Sequence, residues 1–127
     1  MWNVSGKSPR LLLVEDAPFL RTIFGRVLRE HGFEVMEATD GHEALACIKD
    51  FRPQLVLTDL GMPVMDGLEL IQRLRSNPST AHVPVVAITA DPSNQAEVKA
   101  RAAGAVDFVI KPIDLSTLLD RLRAIPV

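Results

Sequence analysis

The sequence Leu-Leu-Leu-Val-Glu-Asp at residues 11–16 has a counterpart in Leu-Val-Leu-Thr-Asp at residues 55–59. In each stretch a run suited to a buried strand ends directly in acidic side chains, Glu15 and Asp16 in the first and Asp59 in the second. The carboxyl ends of parallel strands lie at one edge of a sheet, so we expect the three carboxylates to converge. Clustered carboxylates repel one another unless a positive charge holds them together. The two stretches therefore predict a divalent metal site that leaves one carboxylate free for chemistry.

Strand-like runs alternate with helix-like segments five times along the chain. This alternation is typical of a parallel sheet with helices on both faces, and the nearly continuous apolar runs indicate strands that are buried on both faces. Right-handed crossovers leave few arrangements, of which the flavodoxin-like strand order 2-1-3-4-5 is the commonest for five strands. We therefore predict an α/β fold of the doubly wound (βα)5 type. The predicted strands are residues 11–14, 33–38, 55–58, 83–89 and 106–110.

Apolar residues recur at helical spacing in the segments between the predicted strands. Gly32 and Gly104 are expected to end the first and fourth helices. The segment 92–103 is more polar than the others, so we expect its helix to be weakly held and able to move. The apolar positions that define the other helices are Phe19, Leu20, Ile23, Phe24, Val27 and Leu28, then Ala44, Leu45 and Ile48, then Leu68, Ile71 and Leu74, and finally Leu115, Leu118, Leu119 and Leu122.

Length and charge restrict the classes of function. A chain of 127 residues is long enough for one domain with a real core. We expect a single domain over residues 1–127, with its core at about 9–124. Fourteen basic residues against sixteen acidic ones give a formal charge of −2, with no run of Lys or Arg. A nucleic-acid partner is therefore not expected.

No apolar stretch approaches the roughly eighteen residues that a membrane span needs, and residues 1–10 lack the apolar core of a signal peptide. We therefore expect no membrane partner and a cytoplasmic protein. Cys47 is the only cysteine, which excludes an internal disulfide and a cysteine-based zinc site. No motif surrounds Cys47, and its expected place is the packed side of a short helix.

Acidic residues that follow strands often only cap the next helix, and four acids of this chain are adequately explained in that way. Two of them are followed three residues later by Glu, which is the pattern of a capping box. The other two come before Pro92 and before the leucine-spaced last helix. The four predicted caps are Asp40, Asp66, Asp91 and Asp114.

Asp59 does not fit this explanation, because Leu-Gly-Met-Pro follows it and no helix can begin until about Asp66. For Asp16, capping and metal binding both stay open. Glu15 is a poor cap, so the acidic pair favours a metal site.

Two further polar residues, Thr89 and Lys111, end the fourth and fifth apolar runs. A lysine directly after a buried strand usually extends to solvent, and a single threonine is more often an ordinary strand residue. Here both are expected at the sheet edge that carries the three carboxylates. The hydroxyl and the ammonium would then complete a pocket for a tetrahedral anion.

With these residues in place, the chain strongly resembles the receiver domain of two-component response regulators, in particular the single-domain, chemotaxis-regulator-like members. The resemblance covers residues 10–123. The matching residues are Glu15-Asp16, Asp59 within Asp-Leu-Gly-Met-Pro-Val-Met-Asp-Gly, Thr89-Ala90 and Lys111-Pro112. Their spacing also fits the family, and the whole constellation is a far more specific signal than any one of its members.

The resemblance implies that Asp59 is the phosphoacceptor of a phosphorelay, receiving a phosphoryl group from a phosphohistidine. It also implies that Glu15, Asp16, Asp59 and the backbone carbonyl of Gly61 bind Mg²⁺, or Mn²⁺ in its place. The Lys111 ammonium would neutralise charge in the loose transition state of phosphoryl transfer. Such domains are signalling modules rather than enzymes, although they assist their own phosphorylation and dephosphorylation.

The resemblance further implies a switch that couples Thr89 to Phe108. A phosphoryl group on Asp59 would draw the Thr89 hydroxyl inward and open space for the Phe108 ring. Many members have Tyr at this position, so Phe108 retains coupling by ring position but lacks a hydroxyl for a partner. A static core residue is the alternative for Phe108. The Lys111-Pro112 peptide bond is expected to be cis.

The partners that the resemblance implies are a sensor histidine kinase or histidine phosphotransfer protein and a downstream protein target. Output is expected through protein contacts alone, since no DNA-binding or catalytic domain follows Val127. The face formed by the fourth helix, fifth strand and fifth helix is expected to make partner or homodimer contacts. Its charged residues are Lys99, Arg101, Asp107, Asp120 and Arg121.

Three other classes of protein fit less well. A phosphatase of the haloacid dehalogenase type needs a second carboxylate two residues after its nucleophile, where Gly61 stands. A flavodoxin-like cofactor binder needs a hydroxyl- and glycine-rich phosphate cradle after the first strand, where Glu15 and Asp16 would repel phosphate. A pure docking module has no need for the whole polar constellation. A receiver domain excised from a hybrid histidine kinase or a longer regulator stays open as an alternative.

Overall fold

The computed structural model describes residues 8–62 and 64–126, so Pro63 of the quoted motif lies outside the described residues. Within these two segments, five parallel strands in the order β2-β1-β3-β4-β5 alternate with five helices, as predicted. None of the five helices is long and apolar enough to cross a membrane. The strands are β1 (Arg10–Val14), β2 (Glu34–Ala38), β3 (Leu55–Asp59), β4 (Val85–Thr89) and β5 (Asp107–Ile110). The helices are α1 (Pro18–Glu30), α2 (Gly41–Phe51), α3 (Gly67–Ser76), α4 (Asn94–Ala103) and α5 (Leu115–Arg123).

Two apolar layers enclose the sheet, one on each face. Leu12 and Val56 pack with α2, α3 and α4, whereas Leu11 and Leu57 pack with α1 and α5. The strands β1, β3 and β4 are buried at nearly every position, in agreement with their continuous apolar sequence. Because both faces are packed, the carboxyl ends of these three strands are held side by side.

The prediction that every strand is buried on both faces is wrong for the two edge strands, β2 and β5, since Ile110 of β5 is exposed. The other edge strand, β2, exposes Glu34 and Met36. Its Glu37 carboxylate forms ion pairs with Arg21 and Arg29 of α1. An edge strand has a neighbour on one side only, so charged side chains are tolerated there and discourage further strand pairing.

Phe19 belongs to the apolar pattern that predicted α1, but it is 75% exposed. Phe24 and Leu28 are the large side chains that α1 buries. Five residues along a helix correspond to a rotation of about 140°, so Phe19 and Phe24 point to different sides. The apolar pattern of α1 is therefore wider than the face that it buries.

Three of the four predicted helix caps are confirmed. The side chains of Asp40, Asp66 and Asp114 accept backbone N–H groups at the start of α2, α3 and α5. The prediction for Asp91 is wrong, because α4 begins at Asn94 and the Ser93 hydroxyl is its N-cap acceptor. The Asp91 carboxylate instead accepts the Ser93 N–H at 2.9 Å, which fixes the loop before the helix.

Helix α4 is held to the sheet by few apolar side chains, as its polar sequence predicted. Ala100 is the one buried residue of this helix, with Ala96 and Ala103 partly buried against the same layer. Gly104 ends the helix with a positive φ, and Gly32 adopts a positive φ after α1, so both predicted stops are confirmed. Cys47 is half-buried in α2 against the core, also as predicted.

Candidate functional site

The three predicted carboxylates meet at the carboxyl edge of the sheet. Val14 pairs with Thr58 in the register of β1 and β3, so the next residues, Glu15 and Asp59, lie beside each other. One carboxylate oxygen from each of Glu15, Asp16 and Asp59 lies within 4.8 Å of the others. This confirms the predicted convergence, and the group could hold a metal ion.

Lys111 joins these acids instead of extending to solvent. Its Nζ donates to Asp59 Oδ2 at 2.7 Å and lies 3.2 Å from Glu15 Oε1. One ammonium thus contacts two of the three clustered carboxylates, those of Glu15 and Asp59. The Lys111–Pro112 peptide bond is cis, as the resemblance implied.

Burial of the Glu15 side chain, which is 1% exposed, raises the pKa of its carboxyl from 4.5 to about 7. The Ala17 N–H donates to Glu15 Oε2 and opposes this rise, whereas the Asp59 charge adds to it. Among the described residues, Glu15 Oε1 has no hydrogen-bond donor, although the Lys111 ammonium is close. A buried oxygen without a donor, placed beside two more carboxylates, suits coordination by a cation.

The pKa of Lys111 reflects two opposing influences. Burial lowers this pKa, but the hydrogen bond and negative charge of Asp59, together with the charge of Glu15, outweigh burial and raise it from its ordinary value. The Lys111 side chain is therefore held in the ammonium form, which supplies the positive charge that the acid cluster needs.

The Asp59 carboxylate is fixed at both of its oxygens. Oδ2 accepts from Lys111, and Oδ1 accepts the Gly61 N–H at 3.0 Å. Gly67, the first residue of α3, packs so closely on the Asp59 backbone that a Cβ at this position would overlap the Asp59 carbonyl oxygen. The chain after β3 thus turns back against Asp59 and restricts its position.

Thr89 ends β4 at the same edge and is nearly buried. Asp59 of β3 pairs with Ile88 of β4. Thr89 is the next residue of β4, directly after this partner of Asp59. The Thr89 hydroxyl oxygen accepts the Asp91 N–H at 3.1 Å. That bond does not use the hydroxyl hydrogen, which stays available as a donor to an oxygen in the site.

The Phe108 ring is buried on the α4 side of the sheet. Phe108 pairs with Ala87 across β4 and β5 and packs in the layer that contains Ala100 and Ala105. Ala87 and Thr89 are two residues apart, so their side chains face the same side of β4. This position agrees both with a static core residue and with a ring that responds to Thr89.

The capping alternative for Asp16 is excluded. The N-cap of α1 is Ala17, which has no side chain capable of capping, and Pro18 is the first helical residue. Asp16 is left half-buried with its carboxylate in the acidic group. Gly61, whose carbonyl was predicted as a metal ligand, is exposed in the loop that follows Asp59.

One residue that contacts this site was not predicted. Arg21 of α1 donates from Nη1 to the carbonyl oxygen of Glu15 at 2.9 Å, with a longer contact of 3.5 Å to that of Asp16. Its sequence signal is weak, since it consists only of a basic residue on the first helix, five positions after the acidic pair. Because Arg21 contacts carbonyl oxygens, which every residue carries, the contact does not require particular residue types that a sequence pattern could reveal.

A family model for the response regulator receiver domain matches residues 11–123. The chain belongs to the response regulator receiver domain family. Receiver domains are phosphoacceptor signalling domains of two-component systems, so the expected fold and the expected class of function are both confirmed. Membership also implies kinase or phosphotransfer partners.

Relatives of this receiver domain differ in length. The chain is 33% identical to chemotaxis protein CheY-3 of Vibrio cholerae, covering 98% of this chain and 97% of that protein. It is 34% identical to the DNA-binding dual master transcriptional regulator RpaA of Synechocystis sp., covering 92% of this chain but 48% of that protein. The chain therefore spans about half the length of this regulator and nearly all of the chemotaxis protein.

A solved structure confirms the receiver fold. The chemotaxis response regulator CheY4 of Vibrio cholerae superposes with a TM-score of 0.87 at 30% sequence identity. The match covers 93% of this chain and 98% of that chain. The strand order and the helices on both faces are thus those of a known receiver structure.

Proposed function

We propose that Asp59 accepts a phosphoryl group from a phosphohistidine on a sensor kinase or phosphotransfer protein. The observation that carries the proposal is the Asp59 carboxylate itself, which is bound by the Lys111 ammonium at 2.7 Å in a cluster with two other acids. A carboxylate that is held in place and partly neutralised can approach an anionic phosphoryl group. Carboxylates without a counter-charge would repel the phosphoryl group.

In the proposed reaction an oxygen of Asp59 forms a bond to phosphorus, and the bond between phosphorus and the donor imidazole nitrogen breaks. The electron pair of that bond stays on the imidazole, which leaves as histidine. Lys111 remains close enough to donate to a phosphoryl oxygen, and the Thr89 hydroxyl can donate to another. Hydrolysis of the acyl phosphate would later restore the Asp59 carboxylate. The domain would thus assist its own phosphorylation and dephosphorylation without acting as an enzyme on a separate substrate.

We assign a divalent metal site to Glu15, Asp16, Asp59 and the backbone carbonyl of Gly61. The oxygen ligands fit a hard cation, and so does the buried Glu15 Oε1, to which no described residue donates a hydrogen bond. We propose Mg²⁺ as this cation, with Mn²⁺ as the alternative. When bound, such an ion supplies positive charge for phosphoryl transfer. The chain's own part is to hold three carboxylates together, with Lys111 as their counter-charge.

Phosphorylation of Asp59 would replace its single carboxylate charge by a phosphoryl group that carries about −1.5 to −2 charges, beside Thr89 and Lys111. We propose that Thr89 moves toward the phosphoryl group and that Phe108, on the same side of the sheet, adjusts its ring. The weakly buried α4 lies against this side and would change position with them. The readout surface then comprises α4, β5 and α5, which would contact a downstream protein or a second copy of the chain.

We further propose that residues 1–127 act as one receiver domain, in the cytoplasm, where ATP-derived phosphoryl groups are available. Coverage of nearly the whole CheY-3 chain supports one receiver domain over this length. The half-length match to RpaA supports the alternative, a receiver that is part of a longer regulator or hybrid kinase.

The test is incubation with Mg²⁺ and acetyl phosphate, followed by intact-mass measurement. Wild type is expected to gain one phosphoryl group in an acid-stable, base-labile form. Asp59→Asn should gain none. Asp66→Asn is the matched control, because Asn caps α3 as well as Asp does and leaves Asp59 in place. The proposal is wrong if wild type gains no phosphoryl group, or if Asp59→Asn gains as much.

A further inference from the structure

The Arg21 guanidinium binds the main chain of the acidic pair. Its Nη1 donates to the Glu15 carbonyl at 2.9 Å and approaches the Asp16 carbonyl at 3.5 Å. Hydrogen bonds from a charged donor are roughly twice as strong as neutral ones. Arg21 therefore restrains the backbone of both acids while their side-chain oxygens stay available to the site.

The loop between β1 and α1 lacks the cap that the other helices have. Side chains of Asp40, Asp66, Ser93 and Asp114 accept N–H groups at the starts of α2 to α5, whereas Ala17 at the start of α1 cannot. The Glu15 carboxylate accepts the Ala17 N–H of this loop. Arg21 makes a different contact, because it donates to the carbonyl oxygens of the same loop.

Arg21 is itself held in position by Glu37 of the neighbouring strand. Its Nε lies 3.7 Å from Glu37 Oε1, and Arg29 donates to Glu37 Oε2 at 2.8 Å. Gly25 lies between the two arginines on the same face of α1, and a Cβ there would come within 2.6 Å of Glu37 Oε2. The glycine thus makes room for the carboxylate between the arginines, although glycine in a helix costs about 1 kcal/mol relative to alanine.

We propose that Arg21 is a positioning residue that keeps the Glu15–Asp16 backbone in the geometry needed for metal binding. The proposal rests on the metal site assigned above. The planar guanidinium can reach both carbonyl oxygens and Glu37 at once, which the single ammonium of a lysine cannot. Loss of Arg21 would therefore weaken metal binding without removing any ligand.

The test compares Arg21→Gln with Arg29→Gln. Both variants remove one positive charge and one partner of Glu37, but only Arg21 contacts the acidic pair. The Mg²⁺ dissociation constant is measured by NMR titration with Mg²⁺ alone, and the Mg²⁺ concentration for half-maximal phosphorylation is measured with acetyl phosphate. Removing a residue that orients metal ligands typically weakens binding by about 10- to 100-fold, which is the rise expected for Arg21→Gln. Arg29→Gln should keep the wild-type value.

At saturating Mg²⁺, Arg21→Gln should regain the wild-type phosphorylation rate, because Asp59 and Lys111 are intact. Arg21→Lys keeps the positive charge and serves as a second variant if Arg21→Gln does not fold. Its affinity for Mg²⁺ should lie between those of wild type and Arg21→Gln. Equal dissociation constants for Arg21→Gln and Arg29→Gln, or a wild-type constant in a folded Arg21→Lys, would overturn the proposal. Failure of wild type to bind Mg²⁺ or to be phosphorylated would instead refute the proposed function, and this inference with it.

Discussion

Helices α1 and α4 cover opposite faces of the same sheet, and they are attached to it in different ways. Helix α1 buries Phe24 and Leu28, whereas the one side chain that α4 buries is the small Ala100. Full burial of a Leu or Phe side chain contributes about 1.5–3 kcal/mol, far more than the single methyl group of alanine. Helix α1 is also tied to β2 through Glu37.

This difference separates a fixed region from one that can respond. The acidic pair, Arg21 and Lys111 lie where α1 packs against the sheet, and phosphoryl transfer needs groups held in place. Thr89 and Phe108 face the side covered by α4, which buries little apolar surface. In the proposed mechanism, the acids and Lys111 thus lie on one side of the sheet and the residues that respond lie on the other.

Lys111→Met gives the largest expected effect, because it removes the counter-charge of the site. Loss of one group that stabilises developing charge typically lowers the rate by about 10²–10³-fold, and we expect this decrease in phosphorylation by acetyl phosphate. Intact mass measured against time follows the rate. Amide exchange in α4 should stay as in unphosphorylated wild type, and an unchanged phosphorylation rate would contradict the role assigned to Lys111.

The attachment of the two helices is compared directly by Leu28→Ala and Val98→Ala. Leu28 is almost fully buried, so its truncation should lower the free energy of unfolding by about 2–5 kcal/mol. Val98 on α4 is 65% exposed, and its truncation should change that free energy by less than about 0.5 kcal/mol. Urea unfolding followed by circular dichroism measures both values. A similar loss in the two variants would show that α4 is held as firmly as α1.

The raised pKa of Glu15 predicts how metal binding and stability depend on pH. Because this carboxyl titrates at about 7 in the folded domain and at 4.5 when unperturbed, the folded metal-free state retains the proton in this interval. Its stability contribution is present below pH 4.5 and is lost as the pH rises through about 7. Affinity for Mg²⁺ should change in the opposite direction, rising up to pH 7 with release of a proton.

Calorimetric titration with Mg²⁺ in buffers of different ionisation enthalpy measures that proton. Glu15→Gln cannot titrate, so the pH dependence near 7 should disappear in this variant, with weaker binding throughout. A wild-type affinity that is constant between pH 5 and 8 would argue against this pKa.

Ser93→Ala gives the smallest expected effect and concerns α4 alone. Loss of the hydroxyl that accepts the Ala96 N–H should destabilise the start of this helix by about 1 kcal/mol. Hydrogen exchange of α4 amides should become faster while α1 amides exchange as before. Ser79→Ala, an exposed serine in the loop before β4, serves as the control. Faster exchange in both helices would mean that they open together.

Residue types at strand ends made most of the site predictable. Continuous apolar runs that stop at Glu15, Asp59, Thr89 and Lys111 determine both the strands and their ends, because a buried parallel strand excludes charge. The shared edge then follows from topology. The importance of position 108 could also be predicted. The conformation of the Phe108 ring could not, because it depends on packing that a sequence pattern does not show.

Other features could not be predicted for identifiable reasons. Ser93 and Asp91 are both good N-caps, and Pro92 suits a first helical turn, so local preference does not decide where α4 begins. The exposure of Phe19 depends on how α1 is rotated on the sheet. Arg21 binds carbonyl oxygens, which every residue carries, and therefore has no partner that a sequence pattern could identify.

The charged edge strand has a consequence for association between molecules. An open sheet offers its edge strands to other chains, and a bare edge is a site for aggregation. Here β2 carries Glu34 and Glu37, and Arg29 also donates to the main-chain carbonyl of Val35 at 3.1 Å. A second copy that tried to extend the sheet at β2 would meet these charges and one carbonyl already engaged. Any specific dimer is therefore expected to form through helical surfaces rather than by strand addition at β2.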